Sequence, residues 1–458
     1  MFCTLPAFSQ AVVDITGATA FREATLLAIK AAYDSTGSAY QYAHDDDAGN
    51  SKAATRSIWK GTFPGVAGTT IIRTSFNGSV EGVRAIATVT ADPTYYTDIA
   101  GNLVTAAAIG GGETFGGGAD NTPATPGFLK TAVAAQSEIA FSDVSKDITP
   151  YSEIPLLPES PAVGVVVFTM TGNEGTPFTN ITDQQFQAIL SNGFQPLSLF
   201  TGSEADNPTD PAGDGVGANA AYVFATGRND GSGTRSSYLT ETGYGVSTLV
   251  NQYIRLATSG DTITAIQRVP AGGVNDSDLV TPGIQPYSGQ SATNASTVWG
   301  QDVDGNGGYS SGSTLRGDLA RTTNSVTVRR ANYTVAFSNQ KLHLVSWLSL
   351  NDARQARDAS GGGGLILGYN GVRLTDFAVA NSGSSLSVAD KAKVTEGAYT
   401  AWNYQQMYRR NDLTSGAAVT VYDDLFARIQ LPANLGSAGI PIADMHVGRA
   451  VDGGIVAP

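Results

Sequence analysis

The sequence predicts an α/β protein with mainly parallel sheets and long loop insertions, and three observations support this fold class. Apolar, β-branched runs alternate with amphipathic helical stretches, which is the pattern of a parallel sheet. Apolar residues form 41% of the 458 residues, enough for a large core, while only 15% are charged. Glycine, with 54 residues and no triplet period, is unusually frequent, so long loops are expected and collagen is excluded.

The first part of the chain predicts three strands that each end in a turn of small polar residues. The turns contain Gly17-Ala18-Thr19, Gly78-Ser79 and Ser142-Asp143, and helical spacing of apolar residues follows the first two. The expected elements are strand 11–15, helix 21–33, strand 70–75, helix 80–87 and a strand ending at 137–141.

The second part continues the alternation of strands and helices. Thr182 is a plausible helix N-cap, because Phe186, Ile189 and Leu190 follow on one helical face. The expected elements are strand 162–170, helix 182–190, strand 221–225, a mostly helical stretch 236–256, and strands 333–337, 342–350 and 365–367.

The length of the chain favours two domains enlarged by insertions. A Gly-rich stretch at 106–127 is expected to be loop, and the polar stretches 202–217 and 261–332 are expected to be insertions in the second domain. The first domain is predicted to comprise 12–167 plus 364–458, and the second to comprise 168–359. The chain would cross between them near 165–169 and 346–350.

Residues 1–11 resemble the tail of a secretory signal, with small residues at the cleavage positions, and predict an exported protein. The alternative is the ordinary N-terminus of a cytosolic chain. The apolar run 163–170 is about half of what a membrane helix needs, so a buried strand is expected there.

Charge and metal-ligating residues exclude several functions. The net charge of 27 − 40 = −13 repels phosphate backbones and argues against nucleic-acid binding. The single cysteine, Cys3, has no internal partner, and His44, His343 and His446 are scattered, so neither thiol nor zinc chemistry is expected and no cofactor is predicted.

A calcium loop is a weaker candidate. Asp302, Asp304 and Asn306 alternate as oxygen ligands, but Ser313 stands where the bidentate Glu of a full loop would be. A polar turn is the alternative, and we expect no metal site.

The most specific string is residues 227–234, which reads Gly-Arg-Asn-Asp-Gly-Ser-Gly-Thr. Arg228 has the fork geometry that binds an oxyanion, and Ser232, Gly233 and Thr234 would add hydroxyl and amide donors. Asp230 would hold Arg228 in place. Donors at helix starts can bind an anion without net positive charge, so the value of −13 does not exclude such a site. The alternative is a capped turn with a surface ion pair.

Four different segments at predicted turns follow one another along the chain. They are Gly17-Ala18-Thr19-Ala20-Phe21, Gly78-Ser79-Val80-Glu81-Gly82, Ile139-Ala140-Phe141-Ser142-Asp143, and Arg228 to Thr234. Their order and rough spacing resemble the phosphate-binding members of the type II periplasmic binding proteins, the receptors of phosphate ABC transporters. The chain departs from that family in its length and its insertions. The resemblance implies a two-lobed fold with an anion site in the cleft between the lobes.

Carried over position by position, the resemblance implies an oxyanion pocket lined by Thr19, Ala20, Phe21, Ser79, Asp143, Arg228, Ser232, Gly233 and Thr234. Asp143 would accept a hydrogen bond from hydrogen phosphate, which fully ionised sulfate cannot donate. The alternative for Asp143 is a helix cap or turn residue.

The expected function is that of a non-enzymatic, periplasmic or extracellular protein that captures phosphate or a related oxyanion, with an ABC transporter permease as its partner. Ser232 matches a hydrolase nucleophile motif only in part, which disfavours an enzyme. The alternative is an extracellular structural protein, a self-assembling surface-layer or filament subunit that reuses the fold. Its support is the low charge density and the long insertions rich in small polar residues.

Overall fold

The computed structural model describes most of the chain outside its longest loops. The described residues are 10–44, 55–88, 93–97, 132–151, 162–207, 221–268, 307–309, 311–330, 333–336, 342–360, 362–383, 385–436 and 439–458. Residues 1–9, the Gly-rich stretch 106–127 and the calcium candidates Asp302, Asp304 and Asn306 lie outside them, as do parts of the predicted insertions 202–217 and 261–332.

Strands and helices alternate along the described chain, which confirms the predicted α/β class. The strands are β1 (Ala11–Gly17), β2 (Gln41–His44), β3 (Arg56–Gly61), β4 (Thr70–Ser75), β5 (Thr94–Tyr96), β6 (Ala132–Ala134), β7 (Ile139–Ser142), β8 (Ala162–Gly172), β9 (Asn180–Ile181), β10 (Phe194–Pro196), β11 (Tyr222–Ala225), β12 (Tyr253–Ser259), β13 (Thr262–Arg268), β14 (Thr322–Arg330), β15 (Tyr333–Ala336), β16 (Leu342–Ser349), β17 (Leu365–Ile366), β18 (Gly368–Tyr369), β19 (Trp402–Arg409) and β20 (Gly439–Ile440). The helices are α1 (Arg22–Ser35), α2 (Ser79–Thr88), α3 (Asp183–Asn192), α4 (Ser198–Thr201), α5 (Gly233–Glu241), α6 (Gly312–Leu319), α7 (Leu350–Arg357), α8 (Val388–Thr395) and α9 (Ala417–Ile429). Within the described residues, every helix is too short or too polar to cross a membrane.

The chain divides into two compact units. The first contains the described residues up to Val166 together with Tyr404–Asp444, and the second contains Val167–Asn403 and Met445–Pro458. The chain passes from one unit to the other within β8, again within β19, and a third time between Asp444 and Met445.

The first unit is built on a mixed sheet with a parallel centre. Its strands follow the order β19-β7-β1-β4-β3-β2, and β1 pairs in parallel with both β4 and β7 while the outer pairs are antiparallel. Helices α1 and α9 pack in one apolar cluster with Ile139 and Phe141 of β7. Helix α2 packs in a separate cluster with Ala140, the β7 residue between Ile139 and Phe141. Because alternate residues of a strand face opposite ways, the helices cover both faces of this sheet.

A partly buried group of three polar side chains, Asp14, Arg73 and Glu138, lies in the first unit. The guanidinium of Arg73 donates to both carboxylate oxygens of Asp14, at 2.6 and 2.5 Å. The backbone N–H of Asp14 donates to Oε2 of Glu138 at 2.7 Å. Burial raises the pKa of Glu138 to about 7, against the hydrogen bond from Asp14, which lowers it. The folded protein therefore holds a proton on Glu138 well above the ordinary range of a carboxyl.

We expect Glu138→Gln to flatten the pH dependence of stability between about pH 4.5 and 7. In that range the folded state keeps the Glu138 proton that the unfolded state releases, so wild-type stability falls as the pH rises. Gln cannot titrate and still accepts the Asp14 N–H, so the variant should be more stable than wild type at pH 8, by about 1–3 kcal/mol. Urea unfolding from pH 4 to 8 measures this, with Glu204→Gln, at an exposed position, as control. Equal slopes in the variant and the wild type would contradict it.

The described residues of the second unit form three sheets, the smallest of which is the parallel pair of β9 and β18. Another follows the order β10-β11-β16-β8, with β11 and β16 parallel and β17 added to β8. The third is the four-stranded sheet β12-β13-β14-β15. Three of its strands fall within or next to 261–332, the region whose sequence shows little periodicity, so part of that predicted insertion is regular structure.

The predicted helical stretch 236–256 is wrong beyond its first residues. Helix α5 ends at Glu241, and Gly243 and Gly245 follow with φ of +71° and +94°, values that a right-handed helix does not allow. Residues from Tyr253 onward pair with β13 as strand β12. The two glycines end the helix, and the β-sheet partner of β12 is a strand that periodicity alone did not indicate.

The division into units differs from the domain boundaries expected from the sequence, which placed 364–458 in the first domain and a crossing near 346–350. Strand β16, which contains that expected crossing, lies within the second unit. Ile366 pairs with Thr171 of β8, and the rings of Trp347 and Tyr369 meet edge to face at 5.3 Å. These contacts tie the segment after 364 to the second unit.

The last residues of the chain also belong to the second unit. Arg449 forms an ion pair with Glu241 at 2.8 Å, and its Nη2 donates to the carbonyl of Thr400 at 2.6 Å. Its guanidinium lies 4.3 Å from the centre of the Trp402 ring. A buried ion pair between residues 241 and 449 holds the C-terminal segment on the second unit, where the sequence had placed it in the first.

Candidate functional site

Three strand ends of the first unit meet in backbone contact. Strands β4, β1 and β7 run parallel, so their carboxyl ends lie at one edge of the sheet. The N–H of Ala18 donates to the carbonyl of Phe141 at 2.8 Å, and the N–H of Gly78 donates to the carbonyl of Gly17 at 3.0 Å. The turns after these strands are therefore joined to each other by backbone hydrogen bonds.

Gly17 makes this junction sterically possible. Its φ is +122°, and a Cβ atom there would lie 1.9 Å from the carbonyl oxygen of Phe141. On the other side, a Cβ on Gly82 of helix α2 would lie 2.6 Å from Cα of Gly17. Only a residue without a side chain lets the backbones of the three turns approach so closely.

The junction brings Ser79 and Asp143 together across 64 residues of sequence. The hydroxyl of Ser79 donates to Oδ1 of Asp143, and the N–H of Asp143 lies 3.3 Å from Oγ of Ser79, close enough to donate to it. Both side chains are buried, at 1% and 2% exposure. A buried carboxylate can accept a hydrogen bond from a ligand that carries a proton.

The start of helix α1 completes this edge of the first unit. Thr19 and Ala20 are partly exposed, whereas the ring of Phe21 lies in the core, 5.4 Å from the ring of Phe141. Phe21 is the N-cap and provides no side-chain cap. The first amides of a helix have no partner within it, so any ligand role of Thr19, Ala20 and Phe21 falls to their backbone N–H groups and to the Thr19 hydroxyl.

We expect Gly17→Ala to destabilise the protein far more than Gly37→Ala. Both glycines have positive φ, but no atom lies within 4 Å of a Cβ built on Gly37. The Gly37 variant therefore measures the conformational cost alone, about 1 kcal/mol. The Gly17 variant adds the clash with Phe141 and should cost at least about 2 kcal/mol more. Denaturant midpoints of the two variants measure the difference, and equal midpoints would show that the junction does not depend on the close approach.

The second unit carries the other predicted cluster, on the turn between β11 and α5. Arg228 is only 2% exposed, and its Nε donates to the carbonyl of Tyr309 at 3.0 Å. The N–H of Tyr309 donates to the carbonyl of Gly227 at 2.9 Å, and the N–H of Asn229 donates to the carbonyl of Tyr309 at 3.2 Å. The turn is therefore held by a residue that is distant in sequence.

Ser232, Gly233 and Thr234 open helix α5. Ser232 is the N-cap, with its carbonyl accepting from the N–H groups of Arg235 and Ser236, but its hydroxyl makes no cap hydrogen bond. Ser232 and Thr234 are both buried, and Asp230 is exposed. The structure therefore brings Arg228 and the donor residues of the helix start onto one short turn.

Sequence reasoning missed three residues that support this turn. They are Tyr309, Gln252 and Arg235, and each hydrogen-bonds to the backbone or side chain of the Arg228 turn. Arg235 follows the 227–234 string directly and is the one residue that its position could have indicated. Tyr309 lies in a stretch without a recognisable pattern, and Gln252 lies in the stretch 236–256, for which the sequence predicted a mostly helical structure.

The described residues place several hydrogen-bond donors at these turns. No three His, Cys, Asp or Glu side chains among the residues that the structure describes are arranged to hold a metal ion. Backbone amides, hydroxyls and one guanidinium bind anions by hydrogen bonding. This set of groups suits the binding of an oxyanion.

Comparison with known proteins gives structural likeness only. No family model matches the sequence, and no curated protein matches it. Among solved structures, a protein described as a phosphate ABC transporter substrate-binding protein with bound phosphate, from Clostridium perfringens, has 10% identity and a TM-score of 0.40, with 94% of this chain and 99% of that chain covered.

Two further structures give similar values. An ABC-type phosphate transport receptor from Vibrio cholerae has 10% identity and a TM-score of 0.38, covering 93% of this chain and 95% of that one. PstS from Borrelia burgdorferi has 10% identity and a TM-score of 0.36, with 94% of this chain and 98% of that chain covered. Values this low transfer neither a function nor a site residue to this chain.

Proposed function

We propose that the chain is an extracytoplasmic solute-binding protein that captures inorganic phosphate, or a related oxyanion, without chemical conversion. The observation that best supports this is the contact of Ser79 with Asp143, which joins two turns at the carboxyl ends of parallel strands. Ligands of open α/β sheets bind at such strand ends. The resemblance of the turn sequences to phosphate receptors supports the same conclusion, and an ABC transporter permease would then receive the anion.

The negative charge of the protein makes the type of donor important. At −13, the protein's own field opposes an approaching anion, so capture must depend on local groups. Helix starts supply backbone N–H groups and the positive end of a helix dipole, which act at short range. The starts of α1 and α2 offer these in the first unit, and the start of α5 together with Arg228 offers them in the second.

Asp143 gives the proposal its selectivity. A buried carboxylate repels a fully ionised anion but can accept a hydrogen bond from one that carries a proton. Hydrogen phosphate carries such a proton at neutral pH, and sulfate does not. The site should therefore prefer phosphate to sulfate because of a repulsive element as well as attractive ones.

We expect phosphate, but not sulfate, to stabilise the wild-type protein at neutral pH. A ligand present at 100 times its Kd adds about 2.7 kcal/mol to the free energy of unfolding. Thermal melting in phosphate, in sulfate and in chloride of equal ionic strength measures this. If the melting temperature is the same in phosphate and in chloride, the proposal fails and the structural-subunit alternative is favoured.

Variants of each cluster sharpen the test, because the two clusters lie in different units and can be changed separately. Ser79→Ala and Arg228→Lys should each reduce phosphate affinity by about tenfold or more, since each removes hydrogen bonds to a charged group. Asp143→Asn should raise the affinity for sulfate, because an amide can donate where the carboxylate repels. Ser38→Ala, at an exposed position, is the control and should leave both affinities unchanged.

Calorimetric titration of the four variants gives the affinities directly. Loss of phosphate binding in Ser79→Ala alone would place the anion at the first unit only, and loss in Arg228→Lys alone would place it at the second. Unchanged phosphate affinity in both would contradict the proposed site. Unchanged sulfate affinity in Asp143→Asn would contradict only the selectivity assigned to Asp143.

A further inference from the structure

A short segment, Gly307–Tyr309, lies against the backbone of the Arg228 turn. Tyr309 and Arg228 pair as in a parallel β-bridge, with the N–H of Tyr309 donating to Gly227 and its carbonyl accepting from Asn229. The same carbonyl accepts the Nε–H of Arg228 at 3.0 Å. The segment therefore holds both the backbone of the turn and the side chain of its arginine.

Two buried side chains tie the segment to the turn from a second direction. The Nε2 group of Gln252, a residue with 0% exposure, donates to the carbonyl of Arg228 at 3.1 Å and also to the carbonyl of Gly307. Nη1 of Arg235 lies 3.4 Å from the first of these carbonyls and 3.3 Å from the second. Each donor thus bridges the two pieces of backbone, so the segment and the turn should move together.

The close approach depends on Gly308. A Cβ built on Gly308 would lie 2.5 Å from the carbonyl carbon and oxygen of Arg228, and 2.5 Å from Nε2 of Gln252. Two of these three atoms are backbone and cannot rotate away. Any side chain at position 308 would therefore push the segment off the turn.

The tyrosine hydroxyl anchors the segment to the rest of the second unit. It donates to Oδ2 of Asp318 on α6 at 2.6 Å and accepts the N–H of Arg255 on β12 at 2.9 Å. The side chain of Arg255 in turn pairs with Oδ1 of Asp318 at 2.5 Å. Asp318 is 2% exposed, so this anchor lies in the protein interior, where hydrogen bonds to charged groups are strongest.

We propose that Gly307–Tyr309 is a positioning element for oxyanion binding, with Tyr309 and Gln252 as positioning residues that act through Arg228. The proposal rests on the proposed function. An arginine held in one conformation does not lose its rotamer freedom when the anion binds, so a fixed Arg228 binds more tightly than a mobile one. Because the Tyr309 carbonyl takes Nε, any contact of Arg228 with an anion must be made by its Nη atoms, which restricts the direction of approach.

Gly308→Ala tests the proposal without altering Arg228 or any donor of the turn, and Gly317→Ala is its matched control. Gly317 lies on α6 in the same part of the chain, and no atom lies within 4 Å of a Cβ built on it. We expect Gly308→Ala to bind inorganic phosphate about three- to tenfold more weakly than wild type, the range given by freeing one long side chain. The control should bind as wild type does.

Hydrogen exchange provides a readout that needs no anion. The N–H of Asn229 donates to Tyr309 and should exchange faster in Gly308→Ala than in the wild type or in the control. If Gly308→Ala fails to fold, Tyr309→Phe replaces it, since that change removes only the hydroxyl that reaches Asp318. Faster exchange together with weaker phosphate binding supports the proposal.

The other outcomes separate its failure from that of the proposed function. If the wild type binds phosphate and Gly308→Ala binds it equally well, the positioning role is wrong and the proposed function stands. If the wild type does not bind phosphate, the proposed function fails and the positioning role falls with it. Unchanged exchange at Asn229 in both Gly308→Ala and Tyr309→Phe would show that the segment does not hold the turn, whatever the phosphate result.

Discussion

The first unit depends on the close approach of three backbone turns at Gly17. Without that approach, the side chains of Ser79 and Asp143 would not be in contact, because the two residues are separated by 64 positions in the sequence. The parallel pairing of β1 with β4 and β7 brings the strand ends to one edge, and the absence of a side chain at Gly17 lets them touch. The sheet topology therefore determines which turns lie side by side at the candidate site. The absence of a side chain at Gly17 determines how closely their backbones approach.

The second unit depends on a different constraint, the burial of the Arg228 guanidinium. A charged group removed from water is costly unless polar atoms replace its hydration. The carbonyl of Tyr309 replaces part of it at Nε of Arg228, and that carbonyl is fixed by its own place beside the turn. The residues that stabilise the buried arginine are thus the ones that determine where it points. The same contacts would serve both the stability of the fold and the proposed positioning of an anion.

The sequence predicted what depends on local pattern and parallel order. Strand ends followed by small polar residues located the turns, and the resemblance to a known family implied that Ser79 and Asp143 would line one pocket. The C-terminal assignment differed because the ion pair of Arg449 with Glu241 spans 208 residues and has no local signal. Tyr309 was missed for the same reason, since it contacts Arg228 across 81 residues from a stretch without periodicity. Long-range contacts determine the placement of the C-terminal segment and of Tyr309, and the local sequence pattern contains no signal for such contacts.

For an acidic protein to bind an anion, hydrogen-bond donors at short range must outweigh the long-range repulsion from its net charge. The net charge of −13 acts over about a Debye length, roughly 8 Å at physiological salt, and screening weakens it beyond that. Amide and hydroxyl donors act only at hydrogen-bond distance, where water is excluded and their effect is strongest. Tightly held donors thus matter more here than in a basic protein, because no general attraction compensates for a badly placed one. That constraint gives a physical reason for the side chain of Arg228 to be fixed by the Tyr309 carbonyl and for Gly17 to allow direct backbone contact.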